Sequence, residues 1–413
     1  MSETPQRAFG KRVADLRTAR GLTQSQLANQ IGRTASWLSQ VERGVQPVSR
    51  LDVLQLLADG LGVSVQALRP DAPSRPAAPP TVDADQEPND LDGARLLISG
   101  HPALDVLLDD SVVPTRGLSD LDAAVVEIWE LMHAARFSQL SLRLSELVPE
   151  LERACRTLPV AEQAEAQVLL ARTYQALSAA FVRQNEADAA WVAADRSIRA
   201  AEQSGRPLDV LAGSFRLAQA FVRLRRLDQA EHTARTAVNA VRQRAAAATA
   251  SPEELSVAGS LHLVLGLVYA RAGDRAATRN EINSAREIAV RLGEDRNDFN
   301  LEFGPTNVEI QAVSAAVDLG DAGEALDIGE AIDASNLSAE RQARLLMDLG
   351  RAHAQRRHPG EALECLLQAE LLAPETVRTH VAARGTIREL VLIAGRTASP
   401  ELLALAERAD ATG

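Results

Sequence analysis

The chain has 413 residues, a net charge of −12, 46% hydrophobic residues and only 3% aromatic residues. This length suits two or more domains, and the scarcity of aromatic side chains predicts a core of Leu, Val and Ala packed between helices. We find no apolar run of the ~18 residues that a membrane span needs and no apolar leader, so we expect a cytoplasmic protein without a membrane partner.

Charge is unevenly distributed along the chain. Residues 1–75 contain ten Lys or Arg against six Asp or Glu, whereas the remaining residues contain 34 against 50. A small basic segment joined to an acidic body is typical of a nucleic-acid-binding module attached to a domain that does not bind nucleic acid.

Residues 21–44, GLTQSQLANQIGRTASWLSQVERG, predict two short helices joined by a tight turn. Thr23 and Gln26 have the spacing of a capping box, Gly32 permits a sharp turn, and Thr34 caps the next helix. This is the helix-turn-helix pattern, whose second helix fits the major groove of DNA. Apolar periodicity on both sides predicts a domain of five helices over residues 1–69.

The segment LRTARGLTQSQLANQIGRTASWLSQVERG, followed by LDVLQLLADGLGVSVQAL, resembles the xenobiotic-response-element (XRE) and phage-repressor family of helix-turn-helix proteins. The resemblance implies a structural ion pair between Arg17 and Glu42. It also places Ala35, Ser36 and Gln40 at base-facing positions. The full set of predicted DNA-contacting residues is Gln24, Arg33, Thr34, Ala35, Ser36, Trp37, Gln40, Arg43 and Arg50.

Some of these assignments have structural alternatives. Trp37 could pack as core or lie against the sugar-phosphate backbone, and Arg33 and Arg50 could be solvated charges or phosphate contacts. Ala35 could meet only a thymine methyl group, whereas the amide of Gln40 can pair bidentately with adenine. The bases that the protein would recognise therefore remain poorly determined.

Residues 70–90, PDAPSRPAAPPTVDADQEPND, contain six prolines and almost no aliphatic residues. This composition predicts an extended, flexible linker. From residue 91 onward the pattern changes to long helices rich in Ala and Leu, which predicts a second, all-α domain over residues 91–413.

Residues 343–374 resemble the tetratricopeptide repeat (TPR) consensus through Leu349-Gly350, Ala362, Ala369 and Pro374. Residues 261–274 match its first-helix half. Looser helix pairs fall at 119–157, 160–204, 207–245, 305–333 and 375–410. Together they predict a right-handed, TPR-like α-solenoid of about seven helical hairpins. A loop at 294–307 interrupts it, either as a lid over the groove or as a spacer.

The repeat register implies that certain first-helix side chains line the concave groove. They are Arg172, Gln175, Arg183, Phe215, Gln219, Arg223, Arg271, Asn307, Arg344, Arg351 and Gln355. Arginine binds carboxylates bidentately, so the groove is predicted to bind an anionic ligand such as a short peptide or its C-terminal carboxylate. The alternative is that these arginines pair with Asp and Glu of neighbouring repeats.

A phage-repressor-type head on a TPR body resembles the peptide-pheromone receptors of Gram-positive quorum sensing (the RRNPP group), although the Ala- and Arg-rich composition looks more actinobacterial. The resemblance implies a homodimeric, ligand-responsive transcriptional regulator that sets two heads on a near-palindromic operator. A second hypothesis is that the groove binds a protein partner and the head only localises it. The chain shows no motif for catalysis, metal binding or a cofactor, so we do not expect an enzyme.

Overall fold

The structure is a computed structural model that describes residues 5–31, 35–45, 48, 51–63, 65–68, 91–101, 104, 108 and 114–412. Within these residues the chain is helical, as predicted, and contains no strand beyond one isolated β-bridge. It divides into two compact units. The head unit comprises the described residues of 1–82, 353–364 and 381–413, and the solenoid unit comprises those of 83–352 and 365–380.

The N-terminal part of the head unit is a bundle of five helices. They are α1 (Pro5–Ala19), α2 (Gln24–Gln30), α3 (Ala35–Glu42), α4 (Leu51–Leu61) and α5 (Val65–Leu68). Each helix carries apolar residues on one face, and these faces meet in a common core. Fully buried members of this core include Val13, Leu27, Leu38, Leu54 and Leu57. The predicted five-helix fold is confirmed, while the linker over 70–90 lies outside the described residues.

Helices α1 and α3 cross at Gly10, where the two backbones approach closely. A Cβ atom at this position would lie 2.4 Å from the carbonyl oxygen of Val41 and 2.6 Å from that of Glu42. Both obstructing atoms belong to the backbone, so the crossing requires a residue without a side chain. The guanidinium of Arg12 also joins α1 to α5, since its Nη1 donates to the carbonyl oxygen of Leu68 at 2.7 Å.

The solenoid unit consists of successive helices that pack against their neighbours in sequence. They are α6 (Asp92–Ile98), α7 (Leu118–His133), α8 (Phe137–Thr157), α9 (Val160–Arg183), α10 (Ala187–Ser204), α11 (Pro207–Arg223), α12 (Leu227–Ala246), α13 (Pro252–Ala272), α14 (Arg275–Leu292), α15 (Pro305–Leu319), α16 (Ala322–Gly329), α17 (Ala339–Gln355), α18 (Pro359–Leu372) and α19 (Pro374–Thr379). The predicted hairpins coincide with α7–α8, α9–α10, α11–α12, α15–α16 and α17–α18. Residues 353–364 of the last pair belong to the head unit.

The tight turns inside these pairs depend on residues with a left-handed backbone. Asn185 (φ 63°) and Arg225 (φ 59°) adopt it after α9 and α11, and Gly273 (φ 82°) and Gly320 (φ 83°) adopt it after α13 and α15. Glycine reaches this region without steric cost and asparagine tolerates it better than most residues. These residues therefore let the chain reverse direction directly after the helices.

Helix α13 is long and apolar enough, by length and composition alone, to cross a membrane, with a mean hydropathy of 1.4 over its best window. In the structure 78% of that window is buried within the protein. Charged residues interrupt the sequence on both sides of it, which is why no span was predicted. The core helix of a soluble protein has the same properties.

The loop between α14 and α15 packs on the solenoid unit. Phe303 is fully buried, and its ring occupies the space beside Gly259, where a Cβ atom would lie 1.9 Å from Cζ of the ring. Backbone conformations of positive φ in residues other than glycine cost about 1–3 kcal/mol each. Three loop residues adopt them: Phe299, Asn300 and Glu302. Burial of the neighbouring apolar side chains holds the loop in this conformation.

The C-terminal helices belong to the head unit. Helix α20 (Val381–Ala394) and helix α21 (Pro400–Arg408) are joined by a 3₁₀ turn at Gly395–Thr397. Helix α20 packs on α4, and Leu392 lies against the core of the five-helix bundle. The sequence predicted this hairpin as the last repeat of the C-terminal domain and did not predict its packing on the bundle.

Candidate DNA-binding face and charged solenoid interior

Helix α2 begins at the predicted capping box. The backbone N–H of Thr23 donates to Oε1 of Gln26 at 2.8 Å, and the backbone N–H of Gln26 donates to Oγ1 of Thr23 at 3.2 Å. The two residues thus satisfy amide groups that have no partner within the helix. This arrangement fixes where the helix-turn-helix begins.

A carboxylate at the end of α3 connects the first three helices. Glu42 accepts from Nε of Arg17 at 2.6 Å, from Nη2 of Arg17 at 3.1 Å and from Nε2 of Gln24 at 2.7 Å. Nη1 of Arg17 donates to the carbonyl oxygen of Leu22 at 2.7 Å. The hydrogen bond to Glu42 raises the pKa of Arg17. The predicted ion pair is confirmed, and it holds α3 against α1 and the start of α2.

The other predicted DNA-contacting residues have varied surroundings. Ala35 and Gln40 lie on α3 with half-buried side chains, and Arg43 is exposed just after it. Trp37 is partly buried against the core of the bundle. The amide nitrogen of Gln24 donates to Glu42, so its predicted contact with DNA would have to use the remaining polar atoms. Outside the described residues lie Arg33, Thr34 and Arg50, and also the side chain of Ser36.

In the solenoid unit, five of the six arginines predicted to line the groove pair with carboxylates. The pairs are Arg172 Nε–Asp209 Oδ1 at 3.6 Å, Arg183 Nε–Glu340 Oε1 at 3.1 Å, Arg271 Nε–Asp318 Oδ2 at 2.6 Å, Arg344 Nε–Asp348 Oδ2 at 3.3 Å and Arg351 Nη1–Asp348 Oδ1 at 2.7 Å. Arg172, Arg183 and Arg271 pair with carboxylates of other helices, as in the alternative interpretation, whereas Arg344 and Arg351 pair with Asp348 of their own helix. The sixth arginine, Arg223, has no carboxylate within ion-pair distance in the described part of the chain.

The charged side chains form two groups, the first of which we call the Glu340 cluster. Its members are Arg183, Arg216, Arg341, Glu302, Glu340 and His133. The loop residue Glu302 supplies one carboxylate, which lies 3.0 Å from Nε of Arg341. Burial alone would raise the pKa of Glu340, but attraction to Arg183 and Arg341 outweighs it and lowers the pKa far below its usual range. The loop therefore contributes charge to the interior.

Within this cluster, Arg216 is held by aromatic rings and carbonyl oxygens. Its guanidinium carbon lies 5.4 Å from the ring centroid of Trp129 and 5.2 Å from that of Phe215. Nη2 donates to the backbone oxygen of Asn300 at 2.7 Å, and Nη1 to Oε1 of Gln219 at 3.3 Å. Burial, followed by repulsion from neighbouring arginines, lowers its pKa to about 9. The guanidinium remains charged at pH 7, and the electron-rich ring faces stabilise that charge.

We call the second group the Asp318 cluster. Its members are Arg223, Arg271, Arg344, Arg351, Asp318, Asp348 and His380. Asp318 is 5% exposed and accepts hydrogen bonds from both Arg271 and Arg351. Attraction to these two arginines outweighs burial, which would raise its pKa, and lowers the pKa far below the usual range. Burial and the surrounding arginines lower the pKa of His380 well below its ordinary value, so this imidazole is neutral at pH 7.

Other predicted groove residues are largely buried, whereas side chains that line an open groove would be exposed to solvent. Gln175 is fully buried and donates to the backbone oxygen of Asp209 at 3.3 Å. Asn307 is 3% exposed, and Gln355 is half-buried at the end of α17. Within the described residues, no group of three or more His, Cys, Asp or Glu is arranged to hold a metal ion.

Comparison with known proteins identifies the N-terminal bundle. Residues 8–72 match the family model described as "Helix-turn-helix domain". The N-terminal bundle is a helix-turn-helix domain, and the rest of the described chain is helical. No curated protein matches the chain. The crystal structure of Bacillus thuringiensis PlcR in complex with the peptide PapR7 and DNA is similar at 12% identity and a TM-score of 0.32, over 92% of this chain and 99% of that chain. At this level the likeness supports no inference about what the chain binds.

The sequence did not identify several residues of the two clusters as part of the solenoid interior. Arg216 is one position away from the predicted Phe215, and Arg341 precedes the repeat that defined the register. Glu302 is in the irregular loop, where no periodicity exists. Arginine and glutamate are common on protein surfaces, so the residue types alone did not indicate a buried cluster. Only the packing of distant segments shows that Glu302, Arg341 and Arg216 belong together.

Two histidines of the clusters, the half-buried His133 and the buried His380, make the stability of the protein depend on pH. In the folded state, burial and nearby arginines lower the pKa of His133 and of His380. In the unfolded chain each titrates near ~6.5 and binds a proton that the folded state excludes. Below pH ~6.5 we expect the free energy of unfolding to fall by up to about 1.4 kcal/mol per pH unit for each histidine.

Urea unfolding at pH 7.5, 6.5 and 5.5 measures this slope. The variant His380→Gln removes one titrating group, so the slope should become shallower over this range. The exposed His232 lies in neither cluster, and His232→Gln serves as the matched control. Equal slopes in the wild type and in His380→Gln would contradict the prediction.

Proposed function

We propose that this regulator is a cytoplasmic homodimer that binds a near-palindromic operator and responds to an anionic ligand held in the solenoid unit. The helix-turn-helix domain supports DNA binding. The observation that carries the ligand-sensing half is the excess of guanidinium groups over carboxylates inside a region whose overall composition is acidic. A ligand with different affinities for two conformations would shift the equilibrium between them and thereby change operator occupancy.

The experiment that tests this function is genome-wide mapping of binding sites, followed by affinity measurements on the recovered sequence. A two-fold symmetric motif with half-sites separated by about one DNA turn would support a dimer that presents two heads. Sedimentation velocity of the purified chain with and without this DNA gives the stoichiometry. A single asymmetric half-site bound by a monomer would contradict the proposal.

Gln40 is proposed to recognise a base, and its substitution tests the orientation of α3. We expect Gln40→Ala to cost about 1–3 kcal/mol at one base pair and to relax specificity there. Arg43→Ala, which removes an exposed cation next to the helix, should instead weaken all sequences similarly and reduce the salt dependence. If Gln40→Ala weakened every sequence equally, Gln40 would be a phosphate contact and the assignment of α3 would be wrong.

A further inference from the structure

The charges of the Asp318 cluster do not balance. Within the described residues it contains the four guanidinium groups of Arg223, Arg271, Arg344 and Arg351, and the two carboxylates of Asp318 and Asp348. His380 is neutral. Two positive charges therefore remain without a counter-charge within the cluster, in which Arg271 is exposed and the other three arginines are half-buried. In the Glu340 cluster three arginines face two carboxylates, one of which is Glu302 of the loop, so the excess there is one positive charge.

All the carboxylate oxygens of this cluster are already engaged by other arginines. Oδ1 of Asp318 accepts from Arg351 and Oδ2 of Asp318 accepts from Arg271. Oδ1 of Asp348 accepts from Arg351 at 2.7 Å, and Oδ2 lies 3.3 Å from Nε of Arg344. None of these oxygens forms an ion pair with Arg223 in the described part of the chain, although Asp318 is near enough to attract it.

Arg223 is consequently a half-buried cation without a partner among the described residues. Burial, together with repulsion from Arg344 and Arg271, lowers its pKa to about 9, which leaves it charged at neutral pH. An uncompensated charge away from water is costly, and buried charges in proteins are normally paired.

We propose that the Asp318 cluster binds a compact dianionic group, with Arg223 as the principal ligand-contacting residue and Arg344 as the second. The inference rests on the proposed function and specifies the ligand class of the same interior. Two excess charges favour a group that carries two negative charges, such as a phosphate monoester or a dicarboxylate, over a single carboxylate. Arg271 and Arg351 stay bound to Asp318 and fix the geometry of the site.

The test uses the full chain and simple anions as probes. Thermal unfolding and calorimetry are measured with inorganic phosphate and with succinate, and with acetate at matched ionic strength as the monoanion control. We expect phosphate, succinate or both to raise the melting temperature in a saturable manner, with acetate giving only the general salt effect. Phosphate alone would indicate a phosphoryl ligand and succinate alone a dicarboxylate.

Variants at Arg223 separate binding from folding. Arg223→Gln should weaken dianion binding on the order of tenfold or more, since a charge-assisted hydrogen bond is lost. Without an anion the same variant should melt at a higher temperature than the wild type, because the unpaired charge is gone. Arg223→Lys should retain part of the affinity. Arg279→Gln, at an exposed arginine of α14, is the matched control and should bind as the wild type does.

Three outcomes would overturn the inference: acetate as effective as the dianions, unchanged binding in Arg223→Gln, or no saturable effect of any probe. Failure of the proposed function is a different result. If phosphate or succinate bound through Arg223 but left occupancy of the mapped operator unchanged, the site would stand and ligand-controlled DNA binding would not. If operator occupancy instead responded to a peptide pool in Arg223→Gln as in wild type, sensing would stand and the dianion site would not.

Discussion

Replacing Asp318 by Asn is expected to lower the free energy of unfolding of the solenoid unit by about 3–5 kcal/mol, the usual cost of breaking a buried ion pair from one side. The carboxylate is 5% exposed and neutralises Arg271 and Arg351 together. The amide keeps the shape but supplies no charge and a single acceptor oxygen. Four guanidinium groups would then face the one remaining carboxylate, that of Asp348.

Urea unfolding followed by tryptophan fluorescence measures the effect. In a Trp37→Phe background the two remaining tryptophans, Trp129 and Trp191, both report on the solenoid unit. The control is Asp195→Asn, which breaks an exposed ion pair with Arg199 on α10 and should cost less than about 1 kcal/mol. A difference of under 1 kcal/mol between the two variants would show that Asp318 is dispensable as a counter-charge.

Replacing Gly10 by Ala is expected to destabilise the five-helix bundle by about 1–3 kcal/mol and to abolish operator binding. The new methyl group would lie 2.4 Å from the carbonyl oxygen of Val41 and 2.6 Å from that of Glu42. Neither backbone atom can move unless α3 moves. Because Glu42 holds Arg17 and Gln24, the displacement would also disturb the start of the helix-turn-helix.

The small size of the bundle makes this effect large relative to its total stability, since domains of about 65 residues are marginally stable. Fluorescence of Trp37, in a chain that lacks the other two tryptophans, reports on the bundle alone. Gly385→Ala is the matched control, because Gly385 is in helix α20 of the same unit and a Cβ atom added there would meet no atom within 4 Å. We expect that variant to be neutral or stabilised by up to about 1 kcal/mol. Equal stability of Gly10→Ala and the wild type would disprove the close crossing.

Sequence signals within a few consecutive residues predicted the helices well. Contacts between residues far apart in the sequence were not predicted. Thr23 with Gln26 marks a helix start, and Gly273 and Gly320 mark helix ends, through chemistry contained in a few consecutive residues. The TPR register brought Arg223, Arg344 and other arginines to one interior. It could not show which of them would be neutralised, because Asp318 and Glu340 reach their arginines through tertiary packing.

The same limit applies to the loop and the last hairpin. Glu302 acts inside the solenoid unit only because Phe303 is anchored beside Gly259, and no periodic pattern predicts that contact. Leu392 has the same apolar spacing whether its helix ends a repeat array or covers another domain. For the helix-turn-helix, the sequence motif is sufficient to place the helices. Which side chains of α3 contact DNA is a question for the substitutions proposed above.

The contact between α20 and α4 joins segments that are more than 300 residues apart in the sequence. The bundle of α1 to α5 leaves the ribosome first, whereas Leu392 emerges more than 300 residues later. At about 5–20 residues per second, the wait amounts to roughly 15–65 s. During this interval the apolar surface of α4 is uncovered, and nascent chains are exposed to misassembly with one another. The head unit can therefore be completed only after the whole solenoid unit has been synthesised, and changes in α20 would act on the helix-turn-helix bundle.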